Sequence, residues 1–210
     1  MIQYPMQGYI INTSKVKDED LLVTVLNPKR VKTLYRFYGA RHSQIQLGYK
    51  IDYEAHPTNK ENLFQLRNVT HLTYKWILQR DRFYIWQQFL KLLYRHLRDI
   101  NEVDSFYFEL LEEMNQRIEK EDPKRSAVLS YVKLLKHEGR IHNDFTCFIC
   151  GKRIEDRLNL QRAYLPACSN CIKKKGFLKS KIIYLFEKNS TLLLDNEEID
   201  ELYSTLLEGF

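Results

Sequence analysis

The residues in this chain best suited to chemistry are its four cysteines. Cys147 and Cys150 have two residues between them, Cys168 and Cys171 likewise, and 17 residues separate the pairs. Two intervening residues let both sulfurs of a tight knuckle face one ion, and two such knuckles complete the tetrahedron that Zn²⁺ prefers. Gly151, directly after the first pair, supplies the permissive backbone such a turn needs. The spacing is read as one structural zinc ion on four thiolates. A redox dithiol or an iron–sulfur cluster are the other chemistries open to such a set.

A catalytic zinc would need an open coordination position with a base beside it. The segment Pro166–Ala167–Cys168–Ser169–Asn170–Cys171 carries the second half of a zinc-deaminase signature, but that chemistry also needs His-x-Glu upstream. The nearest approach, His137–Glu138–Gly139, is off register. His142 is a further candidate ligand that four thiolates make unnecessary. Between the knuckles lie Ile154, Leu158, Leu160 and Leu165, too few apolar residues for an independent core. Metal binding is therefore expected to supply much of the folding free energy of a module spanning 145–181. The chain has no Walker A loop, Gly-x-Ser-x-Gly or His-Glu-x-x-His element, and the expectation is a protein that is not an enzyme.

The second set of candidates is basic. Net charge is +6, and it is segregated. Residues 1–80 hold 12 basic and 6 acidic side chains, residues 147–181 hold 9 and 2, and residues 182–210 hold 1 and 7. Separated positive charge suits a polyanionic partner, most often nucleic acid. The most informative stretch is Val31–Tyr38. If it alternates, Val31, Thr33, Tyr35 and Phe37 face one way, and Lys32, Leu34, Arg36 and Tyr38 the other. A barrel surface placing Lys32 and Arg36 beside Tyr38 would set phosphate contacts next to a stacking ring, as single-strand binders do. Lys29, Arg30, Arg41 and His42 would extend the stripe. Lys173, Lys174 and Lys175 follow the last cysteine and form a second candidate patch for sequence-independent, salt-sensitive contacts. Asp18–Glu19–Asp20 is an acidic turn with no obvious partner.

These residues must be positioned by elements of two kinds. The first 70 residues read as five short strands: Gly8–Asn12, Leu21–Leu26, Val31–Tyr38, the alternating Ile45, Leu47, Tyr49, Ile51 and Tyr53, and the run from Leu63 to Val69. Asn27–Pro28–Lys29–Arg30 marks a turn. Five such strands predict a small closed barrel, of which the OB-fold is the commonest. After residue 73 the period changes. Phe83, Trp86, Leu90, Leu93 and Leu97 mark one amphipathic helix, and Phe106 to Ile118 another. Val128 to Leu135 mark a third, started by Asp122–Pro123 and closed near Gly139. Asp195 with Glu198 forms a capping box before a last helix. The expected fold is α+β and multidomain: an OB-like five-stranded barrel over 1–72, then a helical bundle over 73–210 with the four-cysteine zinc module inserted. The opening residues lack a signal-peptide pattern, and the longest apolar runs fall far short of the ~20 residues of a membrane span. Both features lead to the expectation of an intracellular protein with no membrane partner.

This layout resembles the RecO family of bacterial recombination mediators. The local similarity lies in Val16–Lys17–Asp18–Glu19–Asp20–Leu21–Leu22–Val23–Thr24–Val25–Leu26, an acidic turn leading into an apolar strand. It continues in the basic strand that ends in Gly39–Ala40–Arg41. The resemblance implies an OB-fold that binds single- and double-stranded DNA, anneals complementary strands and helps load a recombinase onto protein-coated single strands. It also implies RecR-type and single-stranded-DNA-binding protein partners, and a cytoplasmic, nucleoid-associated location. By position, Lys29, Arg30, Lys32, Arg36, Arg41 and His42 take the place of the family's DNA-contacting strand and loop. The rival reading is an RNA- or ribosome-associated zinc protein, since OB-folds and four-cysteine modules serve there too.

Overall fold

The computed structural model describes residues 6–41, 43–58 and 63–210. They form two compact units, Met1–Asn115 and Gln116–Phe210. The strand pattern places a boundary at residue 72, whereas residues 73–115 fall in the same compact unit as the barrel.

In the first unit, β1 (Met6–Lys15), β2 (Leu21–Leu26), β3 (Val31–Arg36), β4 (Lys50–Pro57) and β5 (Phe64–Leu72) close into a barrel in the order β1-β2-β3-β5-β4. Four of the seams are antiparallel. The closing one, β3 on β5, is parallel, with Leu34 opposite Phe64 and Tyr35 opposite Gln65. This is the OB-like barrel the strand pattern predicts. Its interior is filled from alternate positions by Ile10, Val23, Val25, Leu34, Ile51, Tyr53 and Leu66, among others. Gly8 is required on that face, because a Cβ there would lie 2.4 Å from the Val25 side chain.

Two strands differ from expectation. The fourth begins at Lys50, not Ile45: Gly48 takes φ +97°, and a turn joins Tyr49 N to the Gln46 carbonyl at 3.1 Å. Ile45 still reaches the core from this irregular approach. The third ends at Arg36, because Tyr38 takes φ +52° and its N–H turns to the Asp20 carboxylate at 2.7 Å.

α1 (Arg80–His96) and the start of α2 (Phe106–Lys120) belong with this barrel. Tyr9, on the outer face of β1, is fully buried against the rings of Trp86, Tyr74 and Phe108. Trp86 donates its indole N–H to the Gly48 carbonyl at 2.8 Å, which ties α1 to the approach of β4. The apolar stripe of α1 is thus explained by the outside of the barrel, a surface local periodicity does not reveal.

The second unit contains α3 (Pro123–His137), β6 (Arg157–Gln161), β7 (Leu165–Cys168), α4 (Ser169–Ile172), β8 (Phe177–Leu178), α5 (Lys179–Lys188) and α6 (Asn196–Leu207). Asp122 caps α3 by accepting from Arg125 N, with Pro123 in the first turn where its missing N–H costs nothing. Asp195 and Glu198 form the predicted capping box of α6. Buried Tyr131 donates to the Gly209 carbonyl at 2.7 Å, and Tyr164 to that of Leu202 at 3.0 Å, which satisfies the polar tips of these two rings. The sheet β7-β6-β8 was not anticipated; its strands are short, and one is only a residue pair.

Candidate metal centre and nucleic-acid interface

The cysteine segment folds as two knuckles held by their own backbone. In the first, Gly151 N–H bonds to the Cys147 carbonyl at 2.8 Å and Cys147 N–H to the Lys152 carbonyl at 2.9 Å, with Gly151 at φ +70°. In the second, Cys168 precedes the single turn α4, which ends at Lys173 in the left-handed region. Phe148 N–H bonds to the Pro166 carbonyl at 3.0 Å, which joins the knuckles.

All four sulfurs lie within 4.8 Å of one another, and those of Cys150 and Cys168 are 3.9 Å apart. Zn–S bonds of about 2.3 Å in a tetrahedron put sulfurs about 3.8 Å apart, so the donor set fits one such ion. Electrostatics agree. Burial alone would raise the Cys147 thiol, but N–H groups of Cys168, Cys150 and Ile149 aimed at its sulfur offset this and hold it at about 6. Without a cation the neighbouring thiols cannot all ionise: Cys171 is pushed up to about 12 by hydrogen bonds with Cys168 and Cys150. A divalent ion would reverse that order and take all four as thiolates. Every cysteine singled out from spacing is therefore at one centre.

The basic residues of the barrel are placed differently from the stripe drawn from sequence. Across β2 and β3, Lys32 pairs with Val25, Leu34 with Val23 and Arg36 with Leu21. Val25, Leu34, Val23 and Leu21 are core residues, so Lys32 and Arg36 share the inward-facing side of β3 and sit at its two ends, roughly 13 Å apart along the strand. The outward side carries Thr33, bonded to Thr24 at 3.0 Å, and Tyr35. The alternation holds, but it is the inner face that bears the cations, and they escape burial only because a short barrel has open ends.

Two groupings result. At one end Lys29, Arg30 and Lys32 converge. Asn27 accepts the N–H groups of Lys29 and Arg30 at 2.9 Å each, and the Lys32 ammonium lies 3.0 Å from the centre of the Phe64 ring. Burial, then the charge of Arg30, lowers the Lys32 pKa. A cleft of about 780 Å³ opens here, lined by Arg30, Lys32 and Phe64 and by Tyr94 and Arg98 from the end of α1. Tyr94 and Arg98 were missed, since nothing in their own periodicity relates them to the barrel mouth.

At the other end lie Arg36, Tyr38 and Arg41. Arg36 donates to the Leu66 carbonyl; Arg41 lies 5.5 Å from the exposed Tyr38 ring and pairs with Glu19. The acidic turn thus has its partners. Asp20 accepts from the Tyr35 hydroxyl and the Tyr38 N–H, which hold its carboxyl below the usual range. His42 lies outside the described residues. Lys173, Lys174 and Lys175 are exposed in the second unit. Their backbone is fixed by Arg157, which donates to the Lys175 and Gly176 carbonyls.

The chain thus combines a closed OB-like barrel with cations at both mouths, helices, and four sulfurs gathered at one point. Residues 6–77, the barrel and the segment leading to α1, match the family described as RecO N terminal. No curated protein matches the sequence. Among the described residues, no helix is long and apolar enough to cross a membrane.

Proposed function

We propose that this protein is a non-enzymatic recombination mediator that binds single- and double-stranded DNA, anneals complementary strands and helps load a recombinase on protein-coated single strands. The observation that carries the reading is the pair of cationic groupings at the two ends of β3, each beside an aromatic ring, on a barrel that matches the RecO N-terminal family. Lys29, Arg30 and Lys32 would take phosphates at one mouth. Tyr38 and Arg41 would serve at the other, where a phosphate must displace Glu19 from Arg41. Arg36, occupied by the Leu66 carbonyl, would act chiefly by shaping that mouth. His42 remains a candidate by sequence position alone. Cationic contacts of this kind neutralise the repulsion between two strands, which is what annealing needs.

In the second unit Cys147, Cys150, Cys168 and Cys171 would hold one structural Zn²⁺, with Lys173, Lys174 and Lys175 as a further phosphate-contacting patch. The partners are a RecR-type mediator and single-stranded-DNA-binding protein, and the location is the cytoplasm. Strand annealing by the full chain at two salt concentrations tests the reading. The rate and affinity should fall steeply with salt and vary little with sequence. Salt-insensitive binding, or unchanged binding by Lys32→Glu, would overturn it. Preference for structured RNA over single-stranded DNA in competition would favour an RNA-associated role instead.

A further inference from the structure

Phe148 and Ile149, the two residues inside the first cysteine knuckle, are 52% and 51% exposed. Both sit in a knuckle whose backbone is held by several hydrogen bonds. Phe148 N–H is bonded to Pro166, Ile149 N–H is directed at the Cys147 sulfur, and Gly151 closes the turn. An apolar pair held rigidly in water points to a contact surface.

Its surroundings define the partner. Residues 147–153 and 169–176, the two knuckles and their flanks, carry Lys152, Arg153, Lys173, Lys174 and Lys175 and no carboxylate. All five cations are exposed. The sulfurs of the two knuckles meet within 4.8 Å, so Phe148 and these cations belong to one small module, in which exposed Glu155 and Asp156 follow the first knuckle. A ring held by its knuckle on a module with 9 basic and 2 acidic side chains over 147–181 matches a polyanion with an accessible flat face. In a duplex the base faces are covered by stacking; in a single strand they are open.

We infer that the cysteine module is a second single-strand contact, in which Phe148 stacks on an unpaired base and the surrounding lysines and Arg153 hold the flanking phosphates. This deepens the DNA-binding reading above and rests on it. The metal centre is then a rigid mount for a stacking ring, and the binding it supports distinguishes single strands from duplex, which the lysines by themselves cannot do.

The test uses the full chain with metal content measured. Phe148→Ala should bind oligothymidylate about fivefold or more weakly, keep its duplex affinity and retain its metal. Phe148→Trp should restore binding, and its emission should be quenched by the oligonucleotide. The inference fails if Phe148→Ala binds the single strand like wild type, if it loses single-strand and duplex affinity equally, or if the tryptophan is not quenched. Failure of the wider reading looks different, because wild type itself would then bind neither form.

Discussion

Arg36 donates from Nη1 to the carbonyl oxygen of Leu66 at 2.9 Å, joining β3 to β5 at the one seam of the barrel that runs parallel. Lys32, four residues earlier on the same face of the same strand, makes no such bond in its contact with Phe64 and keeps its ammonium at the opposite mouth. Two cations that look equivalent in sequence therefore have different duties. Arg36→Ala should destabilise the barrel by about 1–2 kcal/mol, read from urea unfolding, since it removes a charged donor from a partly buried carbonyl. Lys32→Ala should leave the unfolding midpoint nearly unchanged while lowering the slope of log affinity for DNA against log salt by about one.

Removal of the metal should act locally. A strong chelator is expected to release one equivalent of Zn²⁺ and to expose the backbone of 145–181, while the barrel amides keep their protection. Metal analysis with hydrogen exchange checks this. The physical ground is that β6 to β8 are short and the four sulfurs meet at one point between the knuckles. Cys168→Ala should produce the same pattern.

Acid should loosen the acidic turn. The Asp20 carboxyl is held below its ordinary value by the Tyr35 hydroxyl first and the Tyr38 N–H second. A depressed carboxylate contributes stability that is fully present above the unfolded value of about 3.9 and is lost as pH falls through the folded one. The melting temperature of wild type should therefore fall below about pH 4, where that of Asp20→Asn should be lower at neutral pH and flatter. Melting curves between pH 3 and 7 on both proteins test the point.

Gly176 ends the lysine run at φ +67°, and a Cβ there would stand 2.5 Å from the Leu158 carbonyl oxygen on the adjoining strand. Gly176→Ala should cost about 2 kcal/mol or more, combining left-handed strain with that overlap. The variant should also take up Zn²⁺ less readily, which chelator competition would measure, because Cys171 and Phe177 flank the displaced segment.

The cysteine tetrad was fully legible because its information is local: two residues between thiolates dictate a knuckle, and two knuckles dictate a tetrahedron. The capping box of Asp195 with Glu198 and the Asp122–Pro123 start were legible for the same reason, being complete within four residues. The strands of the barrel were legible as apolar runs of the right length, and their number pointed to closure. Where β4 starts was not, since Ile45 alternates in phase with Ile51 and only the bond of Tyr49 N–H to the Gln46 carbonyl, with Gly48 at positive φ, shows that the chain first turns.

Side choice and partnership belonged to the tertiary structure. Alternation along Val31–Tyr38 divides residues into two sets, but which set faces inward depends on β2 and β5, both distant in sequence from Lys32 and Arg36. The acidic trio showed no partner in its own neighbourhood; the fold brings Asp20 to Tyr35 and Tyr38 and Glu19 to Arg41 across a barrel end. Tyr94 and Arg98 join the mouth of the barrel only because α1 packs along its outside. Sequence by itself determined the four-cysteine donor set, the barrel strands and main helices, and the excess of positive charge, which are properties of composition and short spacing. Only the closed barrel decided where those charges stand, because closure sets which residues end inside, which reach an open end, and which distant groups they meet there.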